Sequence, residues 1–210
     1  MTFLRFPELE ARGLLHAFTL RSVPSLISAD VPQILEEAGL PKDYGIGEQT
    51  HGVGVAVVNQ GGNGKVIPAV DALITRQKNL SLVIRVADCG PVWIHCEKTG
   101  AIGLVHSGRK GTEAGIVGAT IRRMREEFGS EPSSMLALLG PCIRPPHYDV
   151  NFAGEILRQL EREKVDKVVD SGLCTASDLT RFYSYRAEKG QTGRHFAVLA
   201  GSFTSPFWAV

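Results

Sequence analysis

The chain contains 210 residues, of which 43% are hydrophobic and 21% are charged, and its formal net charge at pH 7 is +1. A chain of this size and composition can bury a sizeable core, and we expect a single domain over residues 1–210. The near balance of 23 basic and 22 acidic residues lacks the electrostatic signature of nucleic-acid or anionic-membrane binding. A small molecule is therefore the expected partner.

The sequence predicts a cytoplasmic protein. Its first ten residues include Arg5, Glu8 and Glu10, which leave no apolar segment for a signal peptide, and no later apolar run reaches membrane-spanning length. Four cysteines, at positions 89, 96, 142 and 174, are scattered along the chain. In a reducing compartment this pattern predicts metal binding or simple burial rather than a disulfide framework.

The pattern of apolar residues predicts two helices and several strands. Asp30 can begin the first helix, with Pro32 in its first turn and Gly39 at its end. A longer helix is predicted from about Thr112 to Phe128, where apolar residues recur on one side. The predicted strands are Val53 to Val58, Ser81 to Ala87, Val92 to Glu97, Ala101 to His106, Met135 to Leu139 and His195 to Ala200.

This mixture of elements predicts an α+β fold, in which an α/β sandwich combines a mixed β-sheet with flanking helices. Cys89 follows one predicted strand closely, and His106 ends another. The residues from Gly108 to Thr112 connect that strand end to the longer helix. Because strand ends and the loops after them commonly carry chemistry, we expect the functional site in a cleft at these ends.

Three residues form a candidate transition-metal site: His51, Cys89 and His106. Two imidazoles and one thiolate suit zinc, and a fourth tetrahedral position left for water or substrate is typical of a catalytic site. The three residues lie too far apart in the sequence to belong to one metal-binding knuckle, so the tertiary fold must bring them together. The alternative interpretation is a buried cysteine and ordinary core histidines.

A series of short motifs occurs in one order along nearly the whole chain: Gln49-Thr50-His51-Gly52, Asp71-Ala72-Leu73-Ile74-Thr75, Val86-Ala87-Asp88-Cys89-Gly90-Pro91-Val92, His106-Ser107-Gly108-Arg109-Lys110-Gly111-Thr112, Gly140-Pro141-Cys142-Ile143, Tyr148-Asp149-Val150 and Phe182-Tyr183-Ser184-Tyr185-Arg186. This series resembles the multicopper polyphenol oxidase or laccase-domain family, whose members are also described as purine nucleoside phosphorylases with adenosine deaminase activity. The resemblance implies that His51, Cys89 and His106 bind the metal. It also implies a laccase-domain fold, similar to the deamidase domain of cytotoxic necrotizing factor toxins.

One motif departs from the family pattern. Where the family usually has His-Ala-Gly-Trp-Arg-Gly, this chain reads His-Ser-Gly-Arg-Lys-Gly over residues 106–111. Arg109 replaces a tryptophan that could stack on a base, and Lys110 replaces an arginine with a point charge. At the start of a helix both residues are candidates for binding phosphate or a developing anion. The alternative is that both are solvated loop charges.

Three further polar residues are candidates for the site. Asp88, beside the proposed thiolate ligand, could move a proton or orient a ligand, although aspartate is also a common turn residue. Gln49 could contact substrate through its amide, or could simply be exposed. Cys142, directly after an apolar strand, could reach the substrate pocket or be a buried structural cysteine. Arg186 and Arg194 match arginines of the family's C-terminal motifs, and we leave both outside the predicted site.

The leading hypothesis is a zinc enzyme that acts on purine nucleosides by phosphorolysis, deamination or both. Deamination would use water activated by the metal, with Asp88 moving protons, and phosphorolysis would place phosphate near Arg109 or Lys110. One alternative is copper-dependent oxidation of phenols, for which six histidines and no His-x-His pair offer few ligands. Two others are a metal-free amide hydrolase or deamidase, with Cys89 as nucleophile and His106 as base, and a catalytically degenerate metal-binding protein.

Overall fold

The computed structural model describes residues 1–62 and 64–201. Twelve strands form in these residues, and they are numbered here in chain order. The strands are β1 (Phe3–Leu4), β2 (Leu15–Thr19), β3 (Tyr44–Gly47), β4 (Val55–Val57), β5 (Val66–Ile67), β6 (Ala72–Thr75), β7 (Ser81–Val86), β8 (Gly90–Cys96), β9 (Ile102–Ser107), β10 (Met135–Leu139), β11 (Lys167–Asp170) and β12 (His195–Ala200).

Five α-helices form in the same residues, together with short 3-10 turns at Ser28–Asp30 and Pro132–Ser134. No helix in these two ranges is long and apolar enough to cross a membrane. The helices are α1 (Pro7–Glu10), α2 (Val31–Ala38), α3 (Arg109–Glu113), α4 (Ile116–Phe128) and α5 (Phe152–Arg162).

The strands assemble into two mixed sheets of six strands each. The first sheet has the order β1-β2-β12-β7-β3-β5, and the second has the order β11-β10-β8-β9-β6-β4. In the second sheet β9 is antiparallel to both of its neighbours, β8 and β6. This register matters for function, because it aligns the start of β8 and the start of β6 with the end of β9.

The sheets pack face to face, and helices cover both outer faces. Side chains such as Ile84, Trp93 and Leu104 fill the space between the sheets. On the outer face of the first sheet, α2 packs through residues such as Leu35. On the outer face of the second sheet, α4 and α5 pack through residues such as Met124. Alternation of inward and outward side chains along the strands therefore supplies two buried faces on each sheet.

Trp93 on β8 connects the two sheets directly. Its side chain is fully buried, and its indole Nε1–H donates a hydrogen bond to the carbonyl oxygen of Val198 on β12, at 3.0 Å. The rings of Phe6 and Phe18 lie 5.3 and 6.5 Å from its ring centroid. Truncation of such a side chain leaves a large cavity and costs about 3–5 kcal/mol of stability. Trp93 thus helps to fix the rigid frame on which the site is built.

The predicted α+β class with mixed strands and flanking helices is confirmed, and the strands form two sheets. All six predicted strands occur, with ends that shift by no more than two residues. The first predicted helix also occurs, as α2, and it ends at Gly39 in the left-handed conformation, with a φ of 73°. Tertiary packing therefore follows the apolar pattern of the sequence closely in these elements.

The helix predicted from about Thr112 to Phe128 occurs as α4 and ends at Phe128, but it begins only at Ile116, because α3 forms a separate helix before it. Gly115 lies between α3 and α4 with a φ of 87°, a left-handed conformation that interrupts the helix. Helix α5 is not predicted from the sequence, although Asn151 marks its start by accepting a hydrogen bond from the Gly154 amide at 2.9 Å.

A buried neutral histidine joins the ends of the first sheet to a loop. His195 on β12 donates from Nδ1 to the carbonyl oxygen of Thr19, at 2.7 Å, and its Nε2 accepts from the amide of Tyr183, also at 2.7 Å. A ring that both donates and accepts must be neutral. Burial lowers the pKa of His195 from 6.5 to about 4, against the opposing effect of the backbone hydrogen bond to Thr19.

This histidine predicts that stability falls as the pH falls from neutral. The unfolded chain takes up a proton near pH 6.5, whereas folded His195 stays neutral down to about pH 4, so its contribution is complete above pH 6.5 and is lost below it. Between about pH 7.5 and pH 5 this amounts to about 2 kcal/mol. Urea unfolding across this range should show that His195→Gln, which cannot titrate, has a shallower pH dependence. An unchanged slope would contradict the prediction.

Candidate metal centre and substrate cleft

The structure brings His51, Cys89 and His106 together at one end of the second sheet. The nitrogen and sulfur atoms that could ligate a metal all lie within 4.8 Å of one another. Cys89 Sγ lies 3.8 Å from His51 Nε2, and the rings of His51 and His106 meet edge to face at 4.9 Å. His51 is exposed, Cys89 is half-buried and His106 is buried. One side of the cluster therefore faces solvent.

Strand register explains why distant residues meet here. Gly90 at the start of β8 pairs with Ser107 at the end of β9, so Cys89 lies beside the residues that follow His106. Ala72 at the start of β6 pairs with Val105, which aligns Asp71 with His106. The two sheet neighbours of β9 thus deliver a thiol and a carboxylate to the same imidazole.

Asp71 holds two of the three clustered residues in place through hydrogen bonds. Its carboxylate is almost completely buried, and Oδ1 accepts from His106 Nδ1 at 2.8 Å and from the His51 amide at 2.9 Å. Oδ2 accepts from the Gly52 amide at 2.8 Å and from the Thr50 hydroxyl at 3.3 Å. Because a carboxylate only accepts, Nδ1 of His106 carries a proton, and Nε2 is left to face the cluster.

The cluster strongly perturbs its own proton affinities. Burial acts to raise the pKa of Cys89, but hydrogen bonds with His106 and His51 outweigh it and lower the pKa to about 7. Burial acts to lower the pKa of His106, but hydrogen bonds with Asp71 and Cys89 raise it to about 9. These opposite shifts favour a thiolate beside an imidazolium. A cation that binds here would therefore replace the proton on Nε2 of His106, while Nδ1 keeps its proton towards Asp71.

Backbone geometry keeps the three side chains close. A Cβ atom at Gly108 would lie only 2.7 Å from Cys89 Sγ and 3.0 Å from His51 Cδ2, so only glycine fits next to the cluster. His51 and Asp88 both have left-handed backbones, with φ values of 62° and 79°. Non-glycine residues rarely adopt this conformation, which costs about 1–3 kcal/mol and persists where the surroundings enforce it.

The residues present fit a transition-metal ion. Two imidazole nitrogens and one thiolate are a ligand set used by zinc and by copper, and a carboxylate behind a ligating histidine is the usual outer partner. The separations among the three ligand atoms are short enough for one ion to bridge them. The chemistry of the donors thus supports a metal here without identifying which metal it is.

A cleft of about 1130 Å³ opens above the cluster, at the strand ends where the sequence predicts a site. Its walls contain aromatic side chains and more cations than anions. The aromatic residues are Tyr148, Phe152 and Tyr185. The charged residues are Glu48, Arg85, Asp88, Arg109, Lys110, Arg186, Lys189 and Arg194. Such a cleft has room for a small ligand that combines a flat ring with negative charge.

Three of the predicted substrate-binding residues line this cleft: Gln49, Arg109 and Lys110. The Gln49 amide is engaged with the main chain of Arg85, donating to its carbonyl oxygen at 2.6 Å and accepting from its amide at 2.9 Å. Arg109 forms an ion pair with Glu113, with its Nε 2.9 Å from the carboxylate. Gln49 thus joins its loop to β7, while Lys110 and part of Arg109 remain available to a ligand.

Two other predicted site residues have different environments. Asp88 lines the cleft, but both carboxylate oxygens accept hydrogen bonds, one from the Thr175 hydroxyl at 2.6 Å and one from the Arg186 amide at 2.7 Å. Cys142 is fully buried, does not line the cleft, and has a pKa raised by burial to about 12. The structure thus brings Asp88 to the site and leaves Cys142 behind its wall.

Several residues of the site are not predicted from the sequence. A signal for Asp71 is present in the sequence, because an acidic residue directly before a short apolar strand, here β6, lies at a strand end where site residues are common. Tyr148 and Tyr185 occur in the quoted motifs but had no pattern that assigned them to a pocket. Arg186 and Arg194, which were left outside the predicted site, both line the cleft. Their position depends on a long C-terminal loop that periodicity does not describe.

The fold and the cluster together define the class: an α+β protein with a His/Cys/His site of the kind that binds transition metals. The chain belongs to the family described as multi-copper polyphenol oxidoreductase laccase, whose model matches residues 17–156 and 151–201. This confirms the resemblance inferred from the ordered motifs.

Curated relatives carry a different name. The purine nucleoside phosphorylase of Corynebacterium glutamicum is 31% identical over 84% of this chain and 82% of its own length. The purine nucleoside phosphorylase of Streptomyces coelicolor is 31% identical over 70% of each chain. The purine nucleoside phosphorylase YlmD of Bacillus subtilis is 29% identical over 72% of this chain and 68% of its own.

Solved structures show the same fold. The crystal structure of YlmD from Geobacillus stearothermophilus matches with a TM-score of 0.86 and 21% identity, over 96% of this chain and 97% of that chain. A hypothetical protein YfiH from Bacillus licheniformis matches with a TM-score of 0.85 and 19% identity, over the same shares of the two chains. The arrangement of two sheets and flanking helices is therefore common to these proteins.

If the three clustered residues bind one metal, each is needed for full occupancy. We expect His51→Ala, Cys89→Ala and His106→Ala each to reduce the metal content of the purified protein, because two remaining ligands bind a divalent ion weakly. Elemental analysis would measure this, with His147→Ala and Cys174→Ala, which lie outside the cluster, as controls. Full metal content in all three cluster variants would rule out this site.

The buried carboxylate should also control metal affinity. Asp71→Asn keeps the size of the side chain but replaces one acceptor with a donor that opposes His106 Nδ1–H. Loss of such an outer partner typically lowers metal affinity by about 10- to 100-fold. Competition with a chromophoric chelator would measure the change, and Asp166→Asn, at an exposed position, is the matched control. An unchanged affinity in a folded Asp71→Asn protein would show that this carboxylate does not act on the metal.

Proposed function

We propose that the protein is a zinc-dependent purine nucleoside enzyme that catalyses phosphorolysis of adenosine-type nucleosides, deamination of them, or both. One observation carries the proposal: a cluster of three potential metal ligands lies at the base of a cleft whose walls are aromatic and cationic. Relatives that match most of this chain bear the name purine nucleoside phosphorylase, which supports the same conclusion.

Zinc bound by His51, Cys89 and His106 would supply a Lewis acid at the base of the cleft. The protein's own contribution begins with Asp71, which keeps the proton on His106 Nδ1 and so directs Nε2 towards the ion. Because the cluster lies at the junction of three strands, the ligands are positioned before substrate arrives. This preorganisation reduces the cost of assembling the site during turnover.

The cleft walls would orient the nucleoside. The rings of Tyr148 and Phe152 meet edge to face at 6.1 Å, and Tyr185, which directly precedes Arg186 in the sequence, also lines the cleft. Aromatic rings of this kind bury a purine base and favour one orientation of its plane. In this role they replace the tryptophan that the family usually has at position 109.

Cationic side chains would bind the phosphate in phosphorolysis. In that reaction a phosphate oxygen forms a bond to C1′ of the ribose, the bond from C1′ to the purine nitrogen breaks, and the purine leaves with the electron pair and takes up a proton. Arg109 and Lys110 lie at the cleft beside the cluster and offset the charge of the phosphate. Asp88, proposed from the sequence as a proton carrier, has contacts that favour a positioning role.

One observation favours a second candidate, a metal-free Cys/His hydrolase or deamidase. Cys89 has a pKa of about 7, and His106 is oriented by Asp71, which is the order of nucleophile, base and carboxylate in covalent catalysis. Activity that survives chelation and disappears on alkylation of the thiol would identify it. Copper-dependent phenol oxidation requires several coppers to reduce oxygen, and residues 1–62 and 64–201 contain one three-ligand cluster.

The proposed function predicts zinc and turnover in the same sample. We expect near-stoichiometric zinc, formation of inosine from adenosine without phosphate if the enzyme deaminates, and formation of adenine only with phosphate if it phosphorolyses. Removal of the metal by a chelator should abolish both, and added zinc should restore them. Chromatography of the products measures each reaction separately.

Other results would redirect the assignment. Zinc with no turnover of adenosine, inosine or guanosine would favour a degenerate metal-binding protein. Stoichiometric copper with oxidation of a phenol would favour the alternative that the family's name describes. Turnover in a metal-free sample would favour the Cys89/His106 hydrolase.

A further inference from the structure

The cleft contains more positive charge than its walls neutralise. Six cationic side chains and two carboxylates line it, in a chain whose formal net charge is only +1. One of the two carboxylates, that of Asp88, already accepts hydrogen bonds at both oxygens. Such a concentration of cations around a concave site attracts anions and raises their local concentration. The six cations differ in how many of their donors are free to contact such an anion.

Three of the four arginines have other partners. Arg109 is paired with Glu113 at 2.9 Å. Arg85 donates from its guanidinium to the Ser28 hydroxyl at 3.1 Å, and Arg194 donates to the carbonyl oxygen of Gly193 at 2.9 Å. These contacts consume donors and restrict the directions in which the groups can turn. The lysines contribute positive charge, but on flexible stems that offer no planar fork.

Arg186 differs from the other arginines. Among the residues that the structure describes, no carboxylate and no hydrogen-bond acceptor contacts its guanidinium. The guanidinium carbon lies 5.5 Å from the ring centroid of Tyr148, within the range of a cation–π interaction. A cation–π contact uses none of the guanidinium N–H donors, so they stay free for a ligand. Arg186 therefore presents to the cleft a donor fork that has no acceptor among the described residues.

The main chain of Arg186 is also fixed relative to the metal cluster. Its amide donates to Asp88 Oδ2 at 2.7 Å, and Asp88 directly precedes Cys89. The other oxygen of Asp88 accepts from Thr175 at 2.6 Å, which holds the carboxylate in place. Asp88 thus anchors the main chain of Arg186 next to the cluster, and the ring of Tyr148 lies beside its guanidinium.

Tyr148 brings the two wall segments together. Its ring lies beside Arg186, and its hydroxyl lies next to Arg109 on the first turn of α3. A tetrahedral oxyanion in this part of the cleft would meet a free fork from Arg186 on one side and the charge of Arg109 and Lys110 on the other. This geometry suits a planar bidentate contact to phosphate.

We propose that Arg186 binds the inorganic phosphate co-substrate in this cleft, with Asp88 and Tyr148 as positioning residues. The inference rests on the proposed function only in making phosphate the second substrate. It assigns the principal phosphate contact to the C-terminal loop, while Arg109 and Lys110 supply supporting charge. Deamination, which consumes water, does not need this contact.

The test compares phosphate-dependent and phosphate-independent properties of the zinc-loaded full chain. Arg186→Gln should raise the KM for inorganic phosphate in adenosine phosphorolysis by about 10- to 100-fold, the loss expected for a charge-assisted bidentate contact. The KM for adenosine, and any deamination rate without phosphate, should change by less than about threefold. Arg186→Lys keeps the charge but loses the planar donor fork. Its KM for phosphate should lie between those of the wild-type protein and Arg186→Gln.

Two further variants distinguish a direct contact between Arg186 and phosphate from a general electrostatic effect of the cleft and from a non-specific effect of replacing a surface arginine. Arg194→Gln removes the same charge from the same cleft, and its effect on the KM for phosphate should be clearly smaller than that of Arg186→Gln. Arg158→Gln, on the exposed face of α5, should leave every constant unchanged. Equal effects of Arg186→Gln and Arg194→Gln would overturn the proposal in favour of a general electrostatic field. Parallel loss of phosphorolysis and deamination in Arg186→Gln would overturn it in favour of a structural role.

Direct binding keeps this proposal separate from the proposed function. Titration of the protein with inorganic phosphate alone, followed by 31P NMR line broadening, should show saturable binding that Arg186→Gln weakens at least about tenfold. If the wild-type protein turns over no nucleoside but binds phosphate through Arg186, the proposed reaction fails and the phosphate site stands. If wild type and Arg186→Gln bind phosphate equally, the site is wrong whatever the reaction.

Discussion

The buried carboxylate of Asp71 is the constraint on which the rest of the site depends. Burial of a charged group is costly unless both of its oxygens are fully hydrogen-bonded, and Asp71 meets this requirement with two main-chain amides, a hydroxyl and an imidazole. The two amides belong to His51 and Gly52, and the imidazole belongs to His106. The same four contacts that make the buried charge tolerable therefore place two of the three candidate ligands and set the proton position on one of them.

The surrounding fold makes this arrangement rigid. Asp71 directly precedes β6 and His106 lies near the end of β9, and these strands belong to a sheet that is buried on both faces. Cys89 joins them because β8 pairs with the other edge of β9. Such a sheet cannot shift its register without moving its whole set of side chains to the opposite face. Reactive groups are thus placed by the hydrophobic core, while the cationic loops that follow the strands, including the one with Arg186, determine what the cleft can bind.

The sequence predicted the strands and helices whose apolar residues follow a regular period, because those residues form the buried layers. Strands β7, β8, β9, β10 and β12 were predicted within two residues of their ends, because their apolar residues report burial directly. The helix predicted from Thr112 to Phe128 begins later, at Ile116, because Gly115 adopts a left-handed φ, and the periodicity of apolar residues does not report backbone conformation. Short edge strands such as β1 and β5 were missed because two residues are too few to show a pattern.

The sequence by itself determined the family and the identity of the three candidate ligands, because those depend on residue types in a fixed order of motifs. Only the tertiary structure decided that the ligand atoms lie within 4.8 Å, that Asp71 orients His106 and that Asp88 has no free oxygen. It also showed that Cys142 is buried outside the cleft lining and that Arg186 lines the cleft. These outcomes depend on strand register and on loop paths between residues far apart in the chain, and neither is encoded in the local pattern around any one of them.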